Sequence, residues 1–149
     1  AFGQKAAEVA ARVGDGLWIT GPGKDSIDHY RDAGGRGPVY TQLHVCWAET
    51  EEEGIQTAHR MWPNTALPGQ LAQDLRTPQH FEEAVELVTR EMVAEKIPCG
   101  PDPKRLVESY TEAIASGVDH VYFHQIGPDQ EGFFTWWDTE MRPALAEAG

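Results

Sequence analysis

Apolar residues alternate along the chain between a helical spacing and short continuous runs. In the first segment, the apolar positions at helical spacing are Ala6, Ala7, Val9, Ala10 and Val13. The run Leu17-Trp18-Ile19-Thr20 follows between glycine turns, as is typical of a buried parallel strand. The beginning of the chain therefore predicts a strand end at Phe2 and Gly3, a helix, and a strand.

The same alternation continues to the end of the chain. Further strands are predicted over 39–47 and 119–125, and helices over 26–33, 50–62, 77–93, 104–115 and 129–148. Pro143 is expected to kink the last helix. Residues 63–78 carry three prolines and break the pattern, which predicts an irregular insertion.

Strands that alternate with helices predict an α/β fold with a parallel sheet. Two architectures stay open at this point: half of a (β/α)8 TIM barrel, or a small doubly wound sheet. We assign residues 1–149 to a single partial domain, because the length suffices for one core. In both architectures ligands bind at the carboxyl ends of the strands. Those ends are Phe2-Gly3, 20–24, 47–50 and 124–127.

The turn at Gly3 is the first candidate binding site. A glycine lets the backbone approach a ligand, and the N–H groups of the following helix point to the same place. Lys5 in the first helical turn is unfavourable against the helix dipole, and a bound phosphate would reverse that effect. The alternative, which the local pattern alone favours, is a tight turn with a solvated lysine.

The charge of the chain limits its partners. The formal net charge of −12 argues against nucleic acid or an anionic membrane as a general partner, although a local basic site could still exist. No run approaches the roughly 20 apolar residues that cross a bilayer. Cys46 and Cys99 form no metal-ligand or redox motif and are expected to be small buried residues, so we expect a cytoplasmic protein.

The segment from Ala1 to Gly16, which ends in Gly-Asp-Gly, resembles the luciferase-like flavin and deazaflavin oxidoreductases. It is most similar to the glucose-6-phosphate dehydrogenases that depend on coenzyme F420, a deazaflavin. The similarity continues through 43–53, 100–103 and 121–124. This resemblance implies the C-terminal half of a (β/α)8 barrel, and hence a fragment of a longer protein.

The resemblance also implies a function and site residues. The activity would be hydride transfer between a small-molecule substrate, of alcohol or sugar type, and the deazaflavin. The residues implied for the cofactor phosphate are Phe2, Gly3, Lys5 and Ala6, and those for the substrate are Thr20, Lys24 and Lys96. Glu83 occupies the position of a phosphate-binding lysine in the family, which argues against glucose 6-phosphate.

The resemblance assigns no catalytic residue, because the acid–base groups of the family lie in the other half of the barrel. His124 is expected to have a structural or substrate-contact role, and His44 to pack in the interior. Two alternatives stay open: an FMN-dependent luciferase-like monooxygenase, and a non-catalytic half-barrel. Exposed strand edges predict a homo-oligomer, most simply a dimer, and little activity for this fragment alone.

Overall fold

The computed structural model describes residues 1, 3–69 and 71–148. The strands are β1 (Leu17–Thr20), β2 (Val39–Val45) and β3 (His120–Gln125). The helices are α1 (Gln4–Val13), α2 (Lys24–Asp32), α3 (Glu51–Met61), α4 (Leu71–Asp74), α5 (Pro78–Val85), α6 (Arg90–Lys96), α7 (Lys104–Ala115), α8 (Gln130–Trp136) and α9 (Arg142–Ala148). Pro63–Ala66 forms a 3-10 helix and Trp137–Met141 a π-helix.

The chain divides into two compact units. Unit 1 comprises Ala1–His44, Pro103–His124 and Met141–Gly149, and unit 2 comprises Val45–Asp102 and Gln125–Glu140. Each unit has its own cluster of buried apolar residues. The assignment of residues 1–149 to a single domain stays a prediction.

The strands form one sheet in the order β1-β2-β3. β1 and β2 are parallel, with Leu17 opposite Val39. The N–H of Asp119 donates to the carbonyl of Val39, and that of Ile126 to Val45, so β3 runs in the same direction. The predicted parallel α/β arrangement is therefore confirmed, and the strands follow one another in chain order.

The core of unit 1 lies on one face of this sheet. Leu17, Ile19 and Val39 are buried against residues from three helices: Ala7 of α1, Ile27 and Tyr30 of α2, and Ala113 of α7. The side chains that alternate with these strand residues point to the opposite face, where Trp18 is 47% exposed and Tyr122 51% exposed. A doubly wound sheet carries helices on both faces, whereas a barrel wall carries them on one. Unit 1 thus has the layering of a barrel wall.

The core of unit 2 contains both cysteines. Cys46 and Cys99 are buried thiols, and their backbones pair in an isolated parallel bridge just beyond the end of β2. Burial is the main reason that the pKa of the Cys46 thiol rises to about 11, so this thiol stays protonated at neutral pH. The prediction that these residues are small buried groups is confirmed.

Two predicted elements differ from the structure. The single helix predicted over 77–93 is two helices, α5 and α6, because the Thr89 hydroxyl accepts the N–H of Met92 and starts a new helix. The predicted insertion contains the 3-10 helix and α4. Of the strand end predicted at Phe2 and Gly3, Phe2 lies outside the described residues and Gly3 directly precedes α1. The amino group of Ala1 donates to the carbonyl of Trp18.

The last helix is interrupted before Pro143 rather than at it. Residues Trp137–Met141 widen into a π-helix between α8 and α9. Proline lacks an N–H, and its ring crowds the carbonyl of the residue four positions earlier. A wider turn just ahead of Pro143 relieves that crowding and accounts for the position of the irregularity.

Candidate cofactor and substrate site

The N-terminus of α1 has the features of an anion site. Gly3 precedes the helix with φ 77° and ψ 169°, and its carbonyl accepts the N–H of Ala7 at 3.2 Å. The first turn carries no acidic residue, and Gly3 supplies no side-chain cap. A Cβ placed on Gly3 would meet nothing within 4 Å, so the space above the turn is open. Lys5 and Ala6 are exposed in that first turn.

The predicted cofactor residues therefore share one helix start, except that Phe2 lies outside the described residues. The N–H groups of the first helical turn have no partner within the helix and can donate to phosphate oxygens. The positive φ explains the choice of glycine at this position, because most side chains are strained there.

The loop after β1 is fixed by β2. The buried Thr41 hydroxyl donates to the carbonyl of Gly21 at 2.6 Å. The N–H of Gly21 in turn donates to the carbonyl of Gln42 at 3.1 Å. These bonds hold the chain directly after Thr20, which is exposed at the carboxyl end of β1. Thr41 was not among the predicted site residues, although a polar residue within the apolar side of a strand is a visible signal.

Lys24 is the first residue of α2, and its ammonium group contacts the Asp28 carboxylate at 2.6 Å. The hydrogen bond with Asp28, followed by the charge of that carboxylate, raises the pKa of Lys24. Both side chains are exposed, and an exposed ion pair of this kind contributes little stability. The ammonium can therefore exchange Asp28 for a ligand at low cost.

The remaining predicted substrate residue, Lys96, lies in unit 2. It is the last residue of α6 and is exposed, where a positive charge is favourable at a helix C-terminus. Glu83, on α5 of the same unit, accepts a hydrogen bond from the Gln79 amide at 2.9 Å. The structure thus places Thr20 and Lys24 at the two ends of the loop between β1 and α2 in unit 1, and Lys96 and Glu83 on two helices of unit 2.

Two histidines meet near the carboxyl ends of β2 and β3. The Nδ1 atoms of His44 and His124 are 2.9 Å apart, and the rings are steeply inclined at 65°. Both side chains are half-buried. The pKa of His44 is lowered, first by burial and then by the charge of His124. The sequence analysis considered these residues separately and missed the pair.

Gln125 joins the chain segments that follow β2 and β3. Its amide oxygen accepts the N–H of Trp47 at 2.9 Å, and its amide nitrogen donates to the carbonyl of the same residue at 3.2 Å. A cavity of about 330 Å³ lies beside this junction. Its walls include Trp47, Glu53 and Asp129. Gln125, at the predicted strand end 124–127, thus fixes the backbone of Trp47, which lines this cavity.

Two other findings concern the described part of the chain. Residues 1, 3–69 and 71–148 contain no group of three or more histidine, cysteine, aspartate or glutamate side chains that could hold a metal ion. In the same ranges, no helix is long and apolar enough to cross a membrane.

The sheet is parallel, carries helices on one face, and has candidate ligand groups at the carboxyl ends of its strands. These are features of the wall of a (β/α)8 barrel enzyme. Residues 1–120 match the family model described as luciferase-like monooxygenase. The chain belongs to the luciferase-like monooxygenase family.

Relatives of known activity are similar to the whole of this chain. The F420-dependent glucose-6-phosphate dehydrogenase of Mycolicibacterium gilvum is 24% identical, with 100% of this chain and 48% of the relative covered. The F420-dependent glucose-6-phosphate dehydrogenase 2 of Rhodococcus jostii is 26% identical with the same coverage. The chain spans about half the length of the curated relatives it matches.

Solved structures agree on the fold. An F420-dependent secondary alcohol dehydrogenase, solved with an F420-acetone adduct, superposes with a TM-score of 0.75 at 17% identity. The superposition covers 96% of this chain and 46% of the alcohol dehydrogenase chain. The coenzyme F420-dependent tetrahydromethanopterin reductase of Methanopyrus kandleri superposes with a TM-score of 0.65 at 18% identity. This superposition covers 97% of this chain and 49% of the reductase chain. The predicted half of a (β/α)8 barrel is confirmed.

Proposed function

We propose that this chain is one half of an F420-dependent oxidoreductase that transfers hydride between an alcohol or sugar-type substrate and the deazaflavin. The family and the activities of the relatives support this proposal. The single observation that carries it is the open, uncapped start of α1 at Gly3. The deazaflavin supplies the hydride chemistry when bound, and the protein supplies binding and orientation.

In this proposal, the first turn of α1 holds the cofactor phosphate. Backbone N–H groups after Gly3 donate to the phosphate oxygens, and the exposed Lys5 supplies a positive charge. Ala6 contributes its N–H and leaves room above the turn. Phe2 keeps its predicted cofactor role, although it lies outside the described residues. The donors present fit a phosphate group.

Thr20, Lys24 and Lys96 are proposed to bind the substrate. Thr20 offers a hydroxyl at a fixed strand end, and Lys24 a charge that can leave Asp28. Glu83 presents an exposed carboxylate where a phosphate would need a cation, and it accepts a hydrogen bond from the neutral Gln79 amide. We therefore propose an alcohol or another hydroxylated compound rather than glucose 6-phosphate.

The proposal is tested by a fluorescence titration of the chain with coenzyme F420. We expect micromolar binding to the wild-type chain, weakened about tenfold or more in Gly3→Asp, because the new carboxylate meets the phosphate. Gly3→Asn is the matched control. Asparagine has the same shape as aspartate and imposes the same backbone strain at φ 77° and ψ 169°, but it carries no charge. It should therefore weaken binding less than Gly3→Asp does.

The outcomes separate the cofactor hypotheses. Equal weakening by Gly3→Asp and Gly3→Asn would assign the effect to the backbone rather than to a phosphate contact. Binding of FMN in place of F420 in a parallel titration would favour the alternative, a luciferase-like monooxygenase. If neither cofactor binds at millimolar concentration, this half does not form a cofactor site by itself.

A specific surface supports the proposed self-association. On the face of the sheet opposite the unit 1 core, the Trp18 ring stacks on Tyr40 at 5.7 Å and contacts Tyr122 at 4.9 Å. Two of these rings are about half exposed. In a closed barrel the corresponding face points inward. We propose that a second copy of the half-barrel covers this aromatic face and forms a homodimer.

Sedimentation tests the dimer. The wild-type chain should sediment as a dimer, and the double variant Trp18→Ser/Tyr122→Ser as a monomer, since it loses the aromatic surface that association buries. Val13→Ser is the control, because Val13 is 81% exposed on α1, away from the aromatic face. A monomeric wild type, or a dimer that survives the double substitution, would contradict the proposal.

A further inference from the structure

The insertion that follows α3 forms a cavity that the proposed function does not use. Its volume is about 530 Å³, within the range of roughly 300–1,000 Å³ that is usual for small-molecule sites. Its walls come from the 3-10 helix, from the segment before α5 and from α5 itself, which all belong to unit 2. The cavity is therefore a feature of unit 2 alone.

Most of the cavity wall is apolar. Leu75, Phe81 and Val85 line it together with Pro63 and Pro78. The first three side chains are half-buried, so part of the apolar surface of each is in contact with water. An apolar ligand that covers this surface removes it from water, which is favourable. Because aromatic rings pack well on one another, the ring of Phe81 favours a ligand with an aromatic body.

Two side chains of opposite charge line the same cavity. Arg76 lies directly before Thr77, the N-cap of α5, and Glu82 lies in the second turn of that helix. Both are exposed, and neither side chain forms an ion pair or a hydrogen bond within the part of the chain that the structure describes. The first turn of α5 carries no acidic residue, so the helix dipole adds to the positive charge of Arg76. Both charges are thus available to a ligand.

We propose that this cavity is a second binding site, whose ligand is an apolar, preferably aromatic, amino acid in its zwitterionic form. The guanidinium of Arg76 binds the carboxylate, for which its parallel N–H groups are suited. The carboxylate of Glu82 accepts the N–H groups of the ammonium, and the side chain of the ligand covers Phe81. The inference goes beyond the proposed function, because it involves neither the cofactor nor the residues assigned to the substrate.

The charges on the wall determine which ligands the cavity distinguishes. An apolar acid without an amine pairs with Arg76 but is repelled by Glu82, which lines the same cavity. An amine without a carboxylate is attracted by Glu82 and repelled by Arg76. A zwitterion satisfies both side chains. Since both are exposed, each pairing contributes modestly, and we expect a Kd on the order of 1 mM.

The test is a fluorine NMR titration of the full chain at about pH 7, where the three probes carry their full charges. The probes share one fluorinated ring: 4-fluorophenylalanine, 3-(4-fluorophenyl)propionate and 4-fluorophenethylamine. We expect the amino acid to bind at least about threefold more tightly than either probe with a single charge. A nuclear Overhauser effect between the fluorine and the ring protons of Phe81 should locate the bound probe in this cavity.

Substitutions separate the two charges, and both side chains are exposed, so the variants should keep the fold. Arg76→Gln should weaken binding of the amino acid about fivefold or more, because its carboxylate loses the bidentate partner. Glu82→Gln should also weaken the amino acid, but it should strengthen the propionate probe, since the repulsion is gone. Glu86→Gln is the matched control, because Glu86 is exposed at the end of α5 and outside the cavity wall.

The outcomes decide the inference. Opposite effects of Glu82→Gln on the amino acid and the propionate probe, with Glu86→Gln unchanged, would support it. A propionate probe that binds the wild type as tightly as the amino acid would overturn it. So would equal effects of Glu82→Gln and Glu86→Gln, binding without contact to Phe81, or no binding of any probe. None of these titrations contains F420, so their result is independent of the cofactor titration.

Discussion

Gly54→Ala is expected to lower the free energy of unfolding by about 3 kcal/mol. The α3 helix brings this glycine against backbone atoms on two sides. A Cβ at Gly54 would lie 2.7 Å from the nitrogen of Gly100, 2.8 Å from the carbonyl oxygen of Cys46 and 3.1 Å from Cβ of Cys99. Two of these neighbours are main-chain atoms, which cannot turn away as a flexible side chain can. The measurement is urea-induced unfolding followed by circular dichroism.

The sign of this effect distinguishes packing from helix propensity. Alanine is a better helix former than glycine by about 1 kcal/mol, so propensity alone predicts that Gly54→Ala stabilises the chain. Gln56→Ala is the control, because Gln56 is exposed on the same helix and should change stability by about 0.5 kcal/mol or less. A Gly54→Ala chain as stable as the control would show that α3 can move away from the neighbouring backbone.

The need for glycine at position 54 could not be predicted from the sequence. The start of α3 is visible in the sequence, since Thr50 accepts the N–H of Glu53 as the capping pattern predicts. A glycine inside that helix carries no local signal except a weaker tendency to form helix. Glycine is needed at position 54 because the backbone of Gly100 approaches it closely. Gly100 is held there by its N–H, which donates to the carbonyl of Cys46, a residue far from it in the chain.

The element boundaries show a similar limit. The apolar spacing from Phe81 to Val93 predicts one helix because it continues through the break between α5 and α6. The cap at Thr89 competes with that spacing, and only the three-dimensional structure decides between them. Strands β2 and β3 were found nearly in full, since their β-branched and aromatic runs are local patterns.

The candidate site divides in the same way. The turn at Gly3 follows from the local pattern, and Thr20 and Lys24 lie at a predicted strand end, but their proposed roles come from the family resemblance. The contact of His44 with His124 joins residues 80 positions apart, and that of Gln125 with Trp47 spans 78. Sequence periodicity places each of these residues on a strand end. It does not show which two strands are neighbours.

Thr41→Val is expected to destabilise the chain by about 1–2 kcal/mol and to loosen the loop that carries Thr20 and Lys24. Valine has nearly the same shape as threonine, so packing changes little. The lost group is the hydroxyl that donates to the carbonyl of Gly21 at 2.6 Å from a fully buried position. The carbonyl of Gly21 would then lose a hydrogen bond in a place that the valine methyl shields from water.

Hydrogen exchange locates this effect. The amide of Gly21 is held by the carbonyl of Gln42, and its exchange should accelerate in Thr41→Val together with the rest of the loop. Thr111→Val is the matched control. The Thr111 hydroxyl donates to the carbonyl of Val107 on the exposed side of α7, so its loss should change stability by about 0.5 kcal/mol or less. If Thr41→Val and Thr111→Val behaved alike, the loop after β1 would be held by its glycines and strand pairing alone. The side chain of Thr41 would then have no part in positioning the proposed substrate residues.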